Sequence, residues 1–130
     1  MQSVLNKNNW SEWRIANYEY FKEKLKSLPS SLTVIDLGSG PTRFRDILTR
    51  FNYIGVDIQP FELVSIVADF TKTLPIPNES TDIVFVSNVL EHCPTPEFTI
   101  SECYRILRKG GLWLGSVPFI AGIHQKPRDY

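Results

Sequence analysis

The sequence lacks several features that would point to a particular class of protein. It has only two cysteines, Cys93 and Cys103, whose spacing fits neither a disulfide framework nor a Cys-x-x-Cys metal or redox motif. Fourteen basic residues balance fourteen acidic ones, so no excess charge would attract nucleic acid or an anionic membrane surface. We therefore expect two ordinary thiols, no nucleic-acid partner and no membrane partner.

Long apolar runs are also missing. No run approaches the roughly 18 residues of a membrane span, and the N-terminus lacks the pattern of a signal peptide, so we expect a cytoplasmic protein. The chain has 130 residues, of which 42% are hydrophobic and 22% charged, enough to bury one core. We expect a single domain over 1–130, with a helical segment at 1–31, a core at 32–119 and a tail at 120–130.

An aromatic and aliphatic stripe near the N-terminus predicts a helix. Its members recur every three to five residues: Trp10, Trp13, Tyr18, Phe21, Leu25 and Leu28. Asn9 can cap the start of this helix with Glu12 three residues on, and Pro29 can end it. A buried packing stripe is the favoured interpretation, and aromatic side chains lining a ligand mouth are the alternative.

Short apolar and β-branched runs then alternate with helical spacing, which predicts an α/β fold. The predicted strands are 33–37, 53–56, 64–67, 82–87 and 112–117, with helices at 44–51 and 96–107. Residues 109–111, Lys-Gly-Gly, are the expected stop of the second of these helices, and the proline-rich segment 74–78 is expected to cross the surface as a loop. Such alternation predicts a doubly wound, mostly parallel sheet with helices on both faces, in three layers, preceded by the N-terminal helix.

A glycine loop and an acidic residue lie at the predicted carboxyl ends of the first two strands, where ligands bind such sheets. Gly38 and Gly40 let the backbone bend sharply and approach a ligand closely. Asp57, seventeen residues after Gly40, can accept hydrogen bonds from both hydroxyls of a ribose. A tight turn without a ligand and an Asp57 that merely caps a helix are the structural alternatives.

The loop suits a nucleoside ligand without phosphates. Arg43 occupies the third glycine position of a dinucleotide fingerprint, and Pro41 has no N–H to offer a pyrophosphate. S-adenosylmethionine has no phosphate, and its ammonium group could interact with an acid such as Asp36. The loop therefore favours this cofactor over NAD.

Five motifs in order resemble the class I S-adenosylmethionine-dependent methyltransferases, in particular their small-molecule enzymes. Residues 34–40 resemble the family's first motif, 54–57 its ribose-binding strand end, 68–70 its adenine-binding segment, 82–92 its fourth-strand motif, and 102–111 the helix and turn before its fifth strand. The resemblance implies a Rossmann-like fold, methyl transfer to a small-molecule acceptor and S-adenosylmethionine as cofactor. The predicted cofactor-binding residues are Asp36, Gly38, Ser39, Gly40, Asp57, Ile58, Asp69, Phe70, Ser87 and Asn88.

The sequence also departs from the family pattern. Thr42 stands where the family often has a third glycine, and only thirteen residues follow Val117, so the sheet is expected to lack its C-terminal elements and to have a truncated edge. An apolar edge at residues 112–114 would favour pairing with another chain, which predicts a homodimer. A methyltransferase-like binding or structural module without turnover is the main alternative function, and a nicotinamide-dependent oxidoreductase is the second.

Methyl transfer requires few catalytic side chains, because the methyl donor is already activated and positioning supplies most of the gain. A hydroxyl or amine acceptor would benefit from a general base, for which His92 is the candidate and His124 a weaker one. A packing or capping role for His92 is the alternative. Glu91 and His92 resemble part of a metal site in some methyltransferase subfamilies, but Asn88 stands where a carboxylate ligand is expected, so we expect no metal.

Overall fold

The structure, a computed structural model, describes residues 9–42 and 44–117. The predicted tail 120–130 with His124, the end of the predicted core after Val117, and Arg43 lie outside the described residues. The helices are α1 (Glu12–Leu25), α2 (Arg45–Leu48) and α3 (Pro96–Ile106), with a short 3-10 helix at Leu90–His92. The strands are β1 (Thr33–Leu37), β2 (Asn52–Asp57), β3 (Val64–Val67), β4 (Thr81–Ser87) and β5 (Leu107–Ser116).

All five described strands form one parallel sheet in the order β3-β2-β1-β4-β5. The central strands β1 and β4 are mostly apolar, with the run Val34–Ile35 in β1 and Ile83–Val86 in β4, because each strand buries both of its faces. Alternate residues enter different clusters: Ile83 and Phe85 pack with α1 and α2, while Val84 and Val86 pack with α3. The three-layer, Rossmann-like α/β fold predicted from the sequence is therefore confirmed.

The start of α1 differs from the prediction. Ser11, not Asn9, caps the helix, and its hydroxyl accepts the Arg14 N–H at 3.2 Å. Ser11 directly precedes the first helical residue, so its side chain reaches a free amide of the first turn, as an N-cap requires. The capping box built on Asn9 and Glu12 was wrong.

The aromatic stripe of α1 is only partly buried. Tyr18, Phe21 and Leu25 pack into the core, whereas Trp13 is 42% exposed. Five residues separate Trp13 from Tyr18, so the two side chains point about 140° apart around the helix. The helix ends at Leu25, before the expected stop at Pro29, and Arg50 donates hydrogen bonds to the carbonyl oxygens of Leu25 and Leu28 just beyond its last turn.

Strand β5 starts earlier than predicted. Helix α3 ends at Ile106, and Leu107 is already extended and pairs with Thr81 of β4. The next paired residues are Ile83 and Leu112, so residues 108–111 lie opposite Asp82 as an irregular insertion within the strand, and the assignment of 109–111 as a helix stop was wrong. An ion pair between Arg108 and Asp82 holds this insertion against β4.

Segment 74–78 is a loop, as predicted, but it is anchored to the core. Leu74 and Ile76 are 3% and 7% exposed and belong to the cluster beneath α3. Glu102 accepts the Leu74 N–H at 2.7 Å, and Arg105 donates to the Ile76 carbonyl oxygen at 2.7 Å. Two charged side chains of α3 thus fix the path of this loop.

Cys93 and Cys103 are buried free thiols. Within the described ranges, none of the helices is long and apolar enough to cross a membrane. Strand β5 is the last strand in the described sheet order, with Trp113 43% exposed and Leu114 buried. The homodimer expected through this edge stays a prediction.

Candidate functional site

The glycine loop follows β1 at the carboxyl edge of the sheet. The Gly38 and Ser39 amides donate to the Val56 carbonyl oxygen at 2.7 and 3.1 Å, which ties the loop to β2. Gly38 has φ +70°, and a Cβ atom on it would lie 2.5 Å from Val89 Cγ2. Gly40 has φ +52° and open space where a Cβ atom would project. Packing thus requires glycine at position 38, whereas position 40 leaves room for a ligand.

Asp57 at the end of β2 is joined directly to this loop. Its Oδ2 atom accepts the Gly40 N–H at 2.8 Å, and its Oδ1 atom accepts the Gln59 N–H at 3.0 Å. A carboxylate has about four acceptor positions, so each oxygen retains one for an external donor. The two features that the sequence separates by seventeen residues therefore form one arrangement with acceptor capacity to spare.

Asp36 lies beneath the loop and is 5% exposed. Burial raises the pKa of its carboxyl group to about 7; the Tyr53 hydrogen bond opposes this rise, and the negative charge of Asp57 adds to it. Tyr53 donates from its hydroxyl to Asp36 Oδ2 at 2.6 Å, and burial together with the Asp36 charge raises the pKa of this phenol. Asp36 can therefore change its charge near neutral pH.

A cavity of about 200 Å³ opens where the loop, β4 and α1 meet. Its lining residues are Trp13, Arg14, Asp36, Gly38, Ser39, Gly40, Pro41, Phe44, Phe85, Ser87 and Asn88. Six of the ten predicted cofactor-binding residues are thus brought together: Asp36, Gly38, Ser39, Gly40, Ser87 and Asn88. The cavity presents one carboxyl group, one guanidinium group and several aromatic rings to a ligand.

Asn88 Oδ1 is a buried polar atom in this cavity that makes no hydrogen bond with the described residues, and the buried Ser39 hydroxyl lies near the Tyr53 hydroxyl but makes no hydrogen bond with it. Asn88 has φ +58°, an uncommon conformation for a residue other than glycine, directly after β4. Buried polar groups without partners are costly unless water or a ligand satisfies them. The cavity therefore suits a polar ligand.

Trp13 and Arg14 were not predicted as site residues. Only the alternative interpretation of the N-terminal stripe, aromatic side chains at a ligand mouth, pointed to Trp13. Nothing in the local sequence distinguishes Arg14 from the other basic residues, because its position at the cavity depends on how α1 packs across the sheet.

The remaining predicted residues lie outside this cavity. Asp69 Oδ1 accepts hydrogen bonds from the Thr71 amide and hydroxyl, which lower the pKa of Asp69 and leave Oδ2 without a described partner. The Phe70 ring packs against the loop, 3.5 Å from the position of a Cβ atom on Gly38, and Ile58 is 59% exposed.

Ser87 and His92 both lie near the end of β4, but only Ser87 lines the cavity. The Ser87 and Ser116 hydroxyls are 3.1 Å apart, linking β4 to β5 beside the cavity. His92 ends the 3-10 helix, with its Nε2 atom 3.9 Å from Glu91 Oε2, and does not line the cavity. Across 9–42 and 44–117, no three histidine, cysteine or acidic side chains are grouped so that they could hold a metal ion.

The family described as a methyltransferase domain matches residues 35–114, which include the end of β1, the glycine loop, β2, β3, β4 and most of β5. The chain belongs to this methyltransferase family. It is 33% identical over 108 residues to an uncharacterized methyltransferase of Mycobacterium sp. (strain KMS), in an alignment that covers 69% of this chain and 43% of that protein. An uncharacterized methyltransferase of Mycolicibacterium paratuberculosis is 36% identical over 103 residues, covering 64% and 40%.

Solved structures show the same fold at low sequence identity. A protein from Pyrococcus horikoshii OT3 has a TM-score of 0.70 and 20% identity, over 92% of this chain and 60% of that one. The trans-methyltransferase CalH, solved as a complex with SAH, has a TM-score of 0.59 and 19% identity, over 72% of this chain and 34% of that one. The chain spans less than half the length of these two mycobacterial relatives.

Proposed function

We propose that this methyltransferase chain binds S-adenosylmethionine at the carboxyl ends of β1, β2 and β4 and transfers its methyl group to a small-molecule acceptor. The observation that carries the proposal is the cavity beside the glycine loop, with Asp36 and Arg14 among its lining residues and an unsatisfied polar atom on Asn88. A similar fold solved as a complex with SAH supports the choice of cofactor.

The charges of the cavity fit the amino-acid end of this cofactor. An α-amino acid presents an ammonium and a carboxylate group, and the cavity presents the Asp36 carboxyl and the Arg14 guanidinium. Ionised Asp36 would attract the ammonium group, and Arg14 would form charge-assisted hydrogen bonds with the carboxylate. The Asn88 amide oxygen offers a further acceptor to the ammonium group.

The nucleoside end would lie along β2. Asp57 keeps one acceptor position on each carboxylate oxygen, which suits the two adjacent hydroxyls of a ribose. Asp69 Oδ2 could accept from the exocyclic amine of adenine, with Ile58 and Phe70 supplying apolar surface near the ring. These assignments extend the site from the cavity to the residues outside it.

When bound, S-adenosylmethionine would supply an electrophilic methyl group to the acceptor, and the sulfur would keep the electron pair of the broken carbon–sulfur bond. The protein contributes chiefly by holding donor and acceptor in line for this transfer. An acceptor hydroxyl or amine would pass its proton to a base, for which His92 remains the candidate.

Calorimetric titration with S-adenosylmethionine and S-adenosylhomocysteine tests this proposal. We expect micromolar binding and, in Asp57→Ala, a dissociation constant at least about 10-fold higher, because hydrogen bonds to a charged acceptor are lost. Glu23→Ala, which removes an exposed carboxylate on α1, is the matched control and should bind as the wild type does. No binding at millimolar ligand, or equal binding by Asp57→Ala, would contradict the proposal; binding of NAD alone would favour an oxidoreductase.

A further inference from the structure

A chain of hydrogen bonds runs beneath the glycine loop from Thr42 through Tyr53 to Asp36. The Thr42 Oγ1 and Tyr53 Oη atoms are 3.2 Å apart, and Tyr53 Oη is 2.6 Å from Asp36 Oδ2. An ionised carboxylate can only accept, so Tyr53 donates its one proton to Asp36. The phenol oxygen is then free to accept the hydroxyl proton of Thr42, which gives the chain a single direction.

Thr42 itself has a strained backbone conformation. It has φ +58° and is 1% exposed, and a β-branched residue rarely adopts this region. Strain of this kind persists only where the surroundings enforce it, and it concentrates at functional sites. Glycine would adopt the same backbone conformation without strain, but it would lack the hydroxyl that donates to Tyr53. The threonine is therefore explained by its hydrogen bond and not by the turn.

The charge of Asp36 depends strongly on Tyr53. Among the described residues, Tyr53 is the only hydrogen-bond donor to the Asp36 side chain. Strand β2 also presents Asp57, whose negative charge opposes ionisation of Asp36, and α1 presents Arg14 to the same cavity. Strand β4 presents Phe85 and Ser87, which carry no charge.

We propose that Thr42 and Tyr53 are positioning residues that keep Asp36 ionised and facing the cavity, so that they determine the pH range over which the site binds a cationic ligand. This proposal rests on the proposed function, because the cationic ligand is S-adenosylmethionine with its ammonium and sulfonium groups. Thr42 and Tyr53 need not touch the cofactor to have this effect.

The direction of the pH dependence follows from the chemistry of Asp36. Burial raises the pKa of its carboxyl group to about 7, so the group becomes neutral as the pH falls below neutrality. A ligand that requires the ionised form then binds about tenfold more weakly at pH 6 than at pH 8. S-adenosylmethionine binding should therefore weaken towards acid pH.

Tyr53→Phe is the decisive variant, because it keeps the ring and removes only the hydroxyl. Loss of a hydrogen bond to a charged group should raise the pKa of Asp36 by about 1–2 units and weaken binding at pH 7 by about 5- to 50-fold. At high pH the affinities of variant and wild type should converge. Tyr104→Phe, which makes the same change at a residue 83% exposed on α3, is the matched control and should leave the pH profile unchanged.

Thr42 offers a second, independent pair of variants. Thr42→Ser keeps the hydroxyl and should retain the wild-type profile, whereas Thr42→Val keeps the branched shape and should shift the profile upward, by less than Tyr53→Phe does. A purely structural role would instead lower the melting temperature without moving the profile. Thermal melting of each variant identifies any that fails to fold. If Tyr53→Phe does not fold, the two Thr42 variants still test the chain of hydrogen bonds.

The pKa of Asp36 should also be measured in the ligand-free proteins by ¹³C NMR titration of its carboxyl carbon. A higher Asp36 pKa in Tyr53→Phe supports the positioning role even if the wild type binds no S-adenosylmethionine, in which case the proposed function alone fails. If the wild type binds S-adenosylmethionine, and Tyr53→Phe changes neither the pKa of Asp36 nor the pH profile of binding, the positioning role alone is overturned. An equal shift in Tyr104→Phe would overturn it as well.

Discussion

Adding one methyl group at each of two neighbouring glycines should have clearly different effects on stability. Gly38 and Gly40 both have positive φ, so alanine at either costs about 1–2 kcal/mol in backbone strain, partly offset by about 0.4–1 kcal/mol from a less flexible unfolded chain. At Gly40 nothing lies within 4 Å of the new Cβ atom, so Gly40→Ala should lose about 1 kcal/mol. At Gly38 the new atom would lie 2.5 Å from Val89 Cγ2.

Val89 is 4% exposed, so it has little room to move away from the added methyl group. Overpacking of this kind costs about 1–3 kcal/mol, and Gly38→Ala should lose about 2–4 kcal/mol in total. Urea unfolding followed by circular dichroism measures the free energy of unfolding of both variants. The two transitions are comparable if this free energy falls with urea concentration at the same slope in both. Equal losses in the two variants, or a larger loss in Gly40→Ala, would refute the packing argument for position 38.

Three further substitutions test the core, an ion pair and the buried acid. Phe21→Ala should lose about 3–5 kcal/mol of unfolding free energy in urea, because the ring is fully buried edge-on to Phe85, whereas the exposed Tyr20→Ala should change it by less than about 0.5 kcal/mol. The Arg105 hydrogen bond lowers the pKa of Glu102, so this stabilisation holds above the ordinary carboxyl pKa of 4.5 and is lost as the pH falls through the lowered value. Glu102→Gln should therefore lose about 2 kcal/mol at pH 7 and show less acid destabilisation than the wild type, measured by urea unfolding at several pH values. Burial raises the pKa of Asp36, so the wild type loses stability as the pH rises to about 7, and Asp36→Asn should be more stable in thermal melts at pH 8 by about 1–4 kcal/mol.

The central strands and the main ligand edge could be predicted because their signals are local. Strands buried on both faces are mostly apolar, which marks β1 and β4, and parallel strands bring their carboxyl ends to one edge. Once the strands are assigned, Asp36, Gly40 and Asp57 are therefore expected to lie close together at this edge. Their proximity follows from topology and needs no knowledge of side-chain packing.

Features that depend on packing between distant elements could not be predicted. The early start of β5 depends on the pairing of Leu107 with Thr81 of β4, twenty-six residues away. Trp13 and Arg14 reach the cavity only because of the direction in which α1 crosses the sheet. The hydrogen bond from Tyr53 to Asp36 joins neighbouring strands, and the sequence spacing does not reveal it.

The most direct test of the account is to map where the cofactor binds. In an NMR titration of ¹⁵N-labelled protein with S-adenosylhomocysteine, the largest amide shifts should fall at Gly38, Gly40, Asp57 and Asn88, at the carboxyl ends of three strands. Shifts confined to the opposite end of the sheet, around Gly110, or no shifts at millimolar ligand would contradict the claim that this edge is the cofactor site.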